Sequence, residues 1–203
     1  MQHQQLDEDL RFIRSMIERT RPRIDAAAPI MITWGVIILV SFPLTEWLIH
    51  TGRREAMYIL WLATTLIGGS LSAYFGQRAK KRCASLGVTP YLAKQISWIW
   101  AVLIPNAFVW TWLIILGPAP GYLVPFVLAA VYGIGLAMMG ILYSKEWIVA
   151  SLAVFAAIPV AAFNLDHCST LLGAVVGLSF IVSALISLRR QSAERKAVHG
   201  CEA

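Results

Sequence analysis

Six stretches of this chain are apolar, nearly free of charge and long enough to cross a bilayer, and this feature limits its fold more than any other. They cover residues 28–50, 55–76, 96–116, 122–143, 147–163 and 169–188. A hydrocarbon core of about 30 Å needs ~20 helical residues at ~1.5 Å rise each. An unpaired peptide group in lipid costs several kcal/mol, so each stretch is expected to be a helix. The fifth is the shortest and is expected to stand nearly upright or to thin the membrane around it. A transmembrane barrel would need strands of ~10 residues alternating apolar and polar, whereas runs such as 36–40 are apolar on every side. Composition agrees. Of 203 residues, 58% are hydrophobic and 14% charged, where a soluble domain has about a quarter of its residues charged. Disorder needs the opposite balance. The expected fold is all-α, a polytopic bundle of six transmembrane helices preceded by a short amphipathic cytoplasmic helix. Residues 1–25 form the cytoplasmic N-terminal segment, 26–190 the six-helix domain and 191–203 a cytoplasmic tail.

Basic residues set the orientation. Six crossings place both termini on one side, and that side collects 15 of the 17 lysines and arginines; only Arg53 and Arg54 fall opposite. Positive loops stay in the cytoplasm, so both termini are expected there, in a bacterial inner membrane. The net charge of +6 then reflects loops facing anionic headgroups. Nucleic acid is not an expected partner, since no basic folded domain exists to carry it. The first apolar run begins after residue 27 and is full length, unlike a cleavable signal.

Ahead of the first span, residues 6–21 read as an amphipathic helix. Leu6, Leu10, Ile13 and Ile17 fall on one stripe. Asp7, Glu8 and Asp9 occupy the first turn, where a helix favours negative charge, and Pro22 ends it or bends it. Such a helix can lie on headgroups, dock on or pair with another copy, or pack back on the cytoplasmic loops.

Small residues at every fourth position mark close helix contacts in lipid. Gly173 and Gly177 form such a pair in span six, Gly69 is followed by Ala73 in span two, and Gly133 sits between Ala129 and Ala137 in span four. These faces serve packing within the chain or an oligomer interface. Prolines interrupt four spans, at 43, 105, 125 and 159. Pro105 is followed by Asn106, an amide expected to bond the carbonyl that the proline frees or a neighbouring helix. With Trp34 and Trp110, Asn106 is also a candidate for lining a solute cavity, because aromatic walls with a few polar groups are a common ligand site. Gly35, Glu46 and Trp47 recur at 135, 146 and 147, which would fit an inverted repeat of the kind found in transporters.

Chemistry is sparse. Glu46 is the one acid in the apolar part of the map and is expected at the interface near Arg53 or Arg54. No acid or histidine lies deep in the bundle, as proton-coupled transport usually requires. The three cysteines show no metal-type spacing, and the cluster Asn164 to Cys168 reads as a solvated turn. No catalytic residue, metal or cofactor is expected.

The run Asp9-Leu10-Arg11-Phe12-Ile13-Arg14-Ser15-Met16-Ile17-Glu18, followed by Trp34-Gly35 in the first span, resembles the start of a family of small bacterial multi-pass inner-membrane proteins of uncharacterised function. In that family an IRxMME-like helix precedes a first span containing Trp-Gly. The glycine-rich second span, basic loop and Trp-rich third span are similar too, and Ile17 stands where the family has a second methionine. The resemblance implies a fold and a location but no activity. Two functions fit the residues. One is a non-enzymatic accessory, regulatory or self-associating membrane subunit, in contact with lipid and with another copy or a partner membrane protein. The other is a transporter or channel for a small neutral solute.

Overall fold

The computed structural model of the protein describes residues 27–85, 91–117, 120–142 and 144–200. The helix expected over 6–21, and the segment 1–25 around it, lie outside these residues. Among the described residues six α-helices follow one another: α1 (Ala27–His50), α2 (Arg54–Ser85), α3 (Tyr91–Leu116), α4 (Leu123–Leu142), α5 (Lys145–Ala162) and α6 (Cys168–Gly200), with a 3-10 turn at Leu165–His167 before the last. No strand occurs among the described residues. All six helices are long and apolar enough to cross a membrane, so the chain has the all-α architecture of a multi-pass membrane protein.

Two helices outrun their apolar cores. α2 has 32 residues and α6 has 33, about 50 Å each at the helical rise, or roughly 20 Å more than a bilayer core. Beyond Gly76 and Leu188 the sequence turns polar without a proline, so nothing in the backbone stops the helix where hydrophobicity does. Both extensions carry exposed cations, Arg78, Lys80 and Lys81 on one and Arg189 and Arg190 on the other. Successive crossings place both at the same end of the bundle, the basic end. At the far end, α1 closes on a glycine. Gly52 has a φ of 67°, and the amides of Gly52 and Arg53 bond the carbonyls of Ile49 and Leu48. That is a Schellman cap, whose left-handed residue favours glycine.

Pro43, Pro105 and Pro159 lie inside helices. Pro125 does not interrupt its span as expected. It is the third residue of α4, in the first turn, where an amide has no intrahelical partner to lose.

α6 is the centre of the bundle and touches α1, α4 and α5, while α2 packs on α1 and α3 on α4. The backbones of α1 and α6 approach at Gly35 and Gly177. A Cβ on Gly177 would lie 2.8 Å from the Gly35 carbonyl oxygen, and one on Gly35 equally close to the oxygen of Gly177. Phe42, Leu136, Met139, Val154, Leu172 and Phe180 fill the core around this crossing. Two large rings use glycine notches. Trp34 lies against Gly68 and Trp100 against Gly135. The Gly-Glu-Trp recurrence has no structural counterpart: Trp47 ends α1 and is exposed, whereas Trp147 begins α5 and is buried.

Candidate functional site

Three places in the bundle bear on function. At the far end, Glu46 projects from the last turns of α1 onto the start of α6. One carboxylate oxygen is 3.0 Å from His167 Nδ1, and the other accepts the Thr170 amide at 2.8 Å. Thr170 is in the first turn of α6, where amides lack helical partners and negative charge is favoured. Glu46 therefore caps a helix more than a hundred residues away. Beside it, the Ser169 hydroxyl donates to the Phe42 carbonyl at 2.7 Å, and His50 Nε2 lies 3.0 Å from the Asp166 carbonyl. Glu46 lies at this end of the bundle as expected, and its described partners are His167 and Thr170. Arg53 stands over the Trp47 ring, 5.9 Å from its centroid.

At the basic end, Glu146 in the first turn of α5 forms an ion pair with Arg190 of α6. Nearby, Gln95, Trp98 and Ile99 of α3 and Met138, Ile141 and Leu142 of α4 line an open, almost wholly apolar groove of about 380 Å³. Among the described residues, no three His, Cys, Asp or Glu side chains come close enough to hold a metal. Cys168 is a buried free thiol.

The third place is the outward side of α3. In its membrane window, Gln95–Leu116, only 17% is buried, against 56% in α4. The buried side is set by Ile96, Ala107, Thr111 and Ile114. On the opposite side Val102, Asn106, Val109, Leu113 and Leu116 are all exposed. Asn106 does not bond a carbonyl freed by Pro105 or a neighbouring helix, because position 106 turns its amide off the bundle; its side chain makes no hydrogen bond among the described residues.

The candidate cavity residues do not converge. Trp34 is held between α1 and α2, with its Nε1–H donating to Ser72 Oγ at 2.9 Å. Asn106 and Trp110 look outward from α3, and none of the three lines the groove. Of the candidate glycines, three are closed by the chain's own helices. Gly173 faces Phe42, Gly177 faces Leu39, and Gly133 faces Phe155 while its carbonyl accepts the Ser151 hydroxyl at 2.8 Å. Gly69 alone among the four opens to the outside. Sequence reasoning missed the Glu46 cap and the Glu146–Arg190 pair. The available signal was depth: Glu46 and Thr170 lie at the same end, on helices running in opposite directions.

No family model, curated protein or solved structure matches the chain.

Proposed function

We propose that the protein is a non-enzymatic subunit of a bacterial inner membrane, with both termini in the cytoplasm, that works by associating laterally with another membrane protein or with its own copies. The observation that carries this reading is the uncovered side of α3, with an asparagine at its centre. An amide facing hydrocarbon without a partner costs a few kcal/mol, and a helix from outside the monomer removes that cost. The pairing of Glu46 with His167 and of Glu146 with Arg190 supports a structural use of the described charged groups at the two ends.

Site-specific photocrosslinking in native membranes tests it. A photoreactive residue at Val102 is expected to give discrete protein adducts, and one at Val149, on exposed α5, to give lipid adducts. Lipid adducts alone at 102 would overturn the reading. Solute passage would instead require Trp34, Asn106 and Trp110 around one path, whereas Trp34 is held between α1 and α2 and the other two face outward from α3.

A further inference from the structure

The exposed side of α3 carries a polar side chain, Asn106, that simple lipid contact does not require. Val102, Asn106, Val109, Leu113 and Leu116 follow one another at spacings of four, three, four and three. They therefore share one face, along which a second helix can lie with Asn106 at its middle. Each of these five side chains is exposed; Val102 is 66% and Leu116 71% open. Trp98 and Trp110 flank this face and are also exposed. Asn106 is the twelfth residue of the 22-residue window Gln95–Leu116, so it lies at mid-membrane.

We infer that α3 pairs with α3 of a second copy of this chain, in parallel and around a two-fold axis along the membrane normal, with the two Asn106 amides bonded to each other at the axis. The inference rests on the association proposed above and names its partner. Two copies inserted in the same sense bring identical residues to identical depth, as a two-fold interface requires. An amide is its own complement: each supplies an N–H donor and a carbonyl acceptor. A single asparagine in an apolar face fixes register and partner number, and only at the axis does each amide meet a second amide.

Two measurements on the full-length chain in liposomes test this. In the first, Förster transfer between labelled copies is followed while lipid is added. The wild-type chain is expected to dissociate on dilution; Asn106→Leu should weaken pairing by roughly tenfold, and Asn106→Gln, which keeps the amide, should recover most of it. In the second, single cysteines are oxidised in a background lacking Cys83, Cys168 and Cys201. Disulfide dimers are expected from Val102→Cys, Asn106→Cys and Val109→Cys, and not from Gly69→Cys on α2 or Val149→Cys on α5. Thermal melts of the same variants check that the monomer remains folded. An unchanged dilution curve for Asn106→Leu, or cross-links confined to α2 or α5, overturns the α3 pair but leaves self-association standing. A wild-type chain that is monomeric at every dilution while Val102 photoadducts contain a different protein overturns self-pairing but not association. Lipid-only adducts with a monomeric chain overturn both.

Discussion

Glu46 shows how one side chain ties distant parts of the chain together. Its carboxylate is 15% exposed and meets the first turn of α6, so the Thr170 amide has the Glu46 oxygen in place of water. Replacing it by alanine leaves that amide without an acceptor, and the cost of a half-broken bond at a partly covered site is about 1–3 kcal/mol. Glu46→Ala is therefore expected to lower the midpoint of thermal unfolding in a fixed detergent. Glu46→Gln, which keeps one carbonyl acceptor, should lose less. His167→Ala should lose least, because its ring is 70% exposed and water replaces it there. Equal losses in all three variants would show that the cap contributes through the ion pair alone. The sequence marks Glu46 as unusual but does not reveal its partner. Arg53 and Arg54 are nearer along the chain and carry the opposite charge, whereas His167 and Thr170 become neighbours only when α1 meets α6.

At the scale of helices, whether a glycine is a contact depends on which helix its side faces. Gly69 and Gly177 look alike in sequence, each beginning or ending a small-residue stripe. In the structure a Cβ on Gly69 meets nothing within 4 Å, whereas one on Gly177 meets a backbone oxygen of Gly35 at 2.8 Å. Backbone cannot rotate away as a side chain can, so Gly177→Ala must part α1 from α6, and overpacking of this kind costs about 1–3 kcal/mol. Gly69→Ala adds helix propensity worth up to about 1 kcal/mol and meets no obstacle. Unfolding in a graded detergent series is expected to show Gly177→Ala destabilised and Gly69→Ala unchanged or stabilised; equal losses would contradict the close approach of α1 and α6. The positions of the helices were legible from hydrophobic length, since lipid imposes a minimum run. Their ends were less so: α2 and α6 continue past Gly76 and Leu188 because water tolerates a helix that lipid no longer enforces. Which helix meets which was not legible at all. Trp34 settles into the notch at Gly68, and Trp100 into that at Gly135, through a helix order that no local pattern encodes. Asn106 was legible as an oddity in an apolar span, and its outward aim follows only once Ala107 and Thr111 are known to face the bundle.

For the whole molecule, the distribution of charge and the geometry of the bundle bear on the same question. Six crossings bring the long basic extensions of α2 and α6 to one end, and the far end keeps short turns with few cations. Positively charged segments favour the cytoplasmic side, and the excess of 15 to two is the basis of the proposed orientation. The two ion pairs reinforce this order: Glu46–His167 fastens α1 to the start of α6 at the far end, and Glu146–Arg190 fastens α5 to α6 at the basic end. Inverting the bundle would carry the whole basic end across the membrane. Single cysteines distinguish the two ends directly. Asn164 and Ala193 are both exposed, one in the far-end turn and one on the extension of α6. In a background without the native cysteines, Asn164→Cys is expected to react with a membrane-impermeant maleimide in intact spheroplasts. Ala193→Cys should react only after the membrane is opened. The reverse pattern would invert the orientation, and labelling of both sites in intact spheroplasts would contradict a membrane crossing by α6. Protection of Ala193 together with reaction at Asn164 would place the cations of both extensions against the anionic inner leaflet, where they add to the hold that six apolar helices already have on the bilayer.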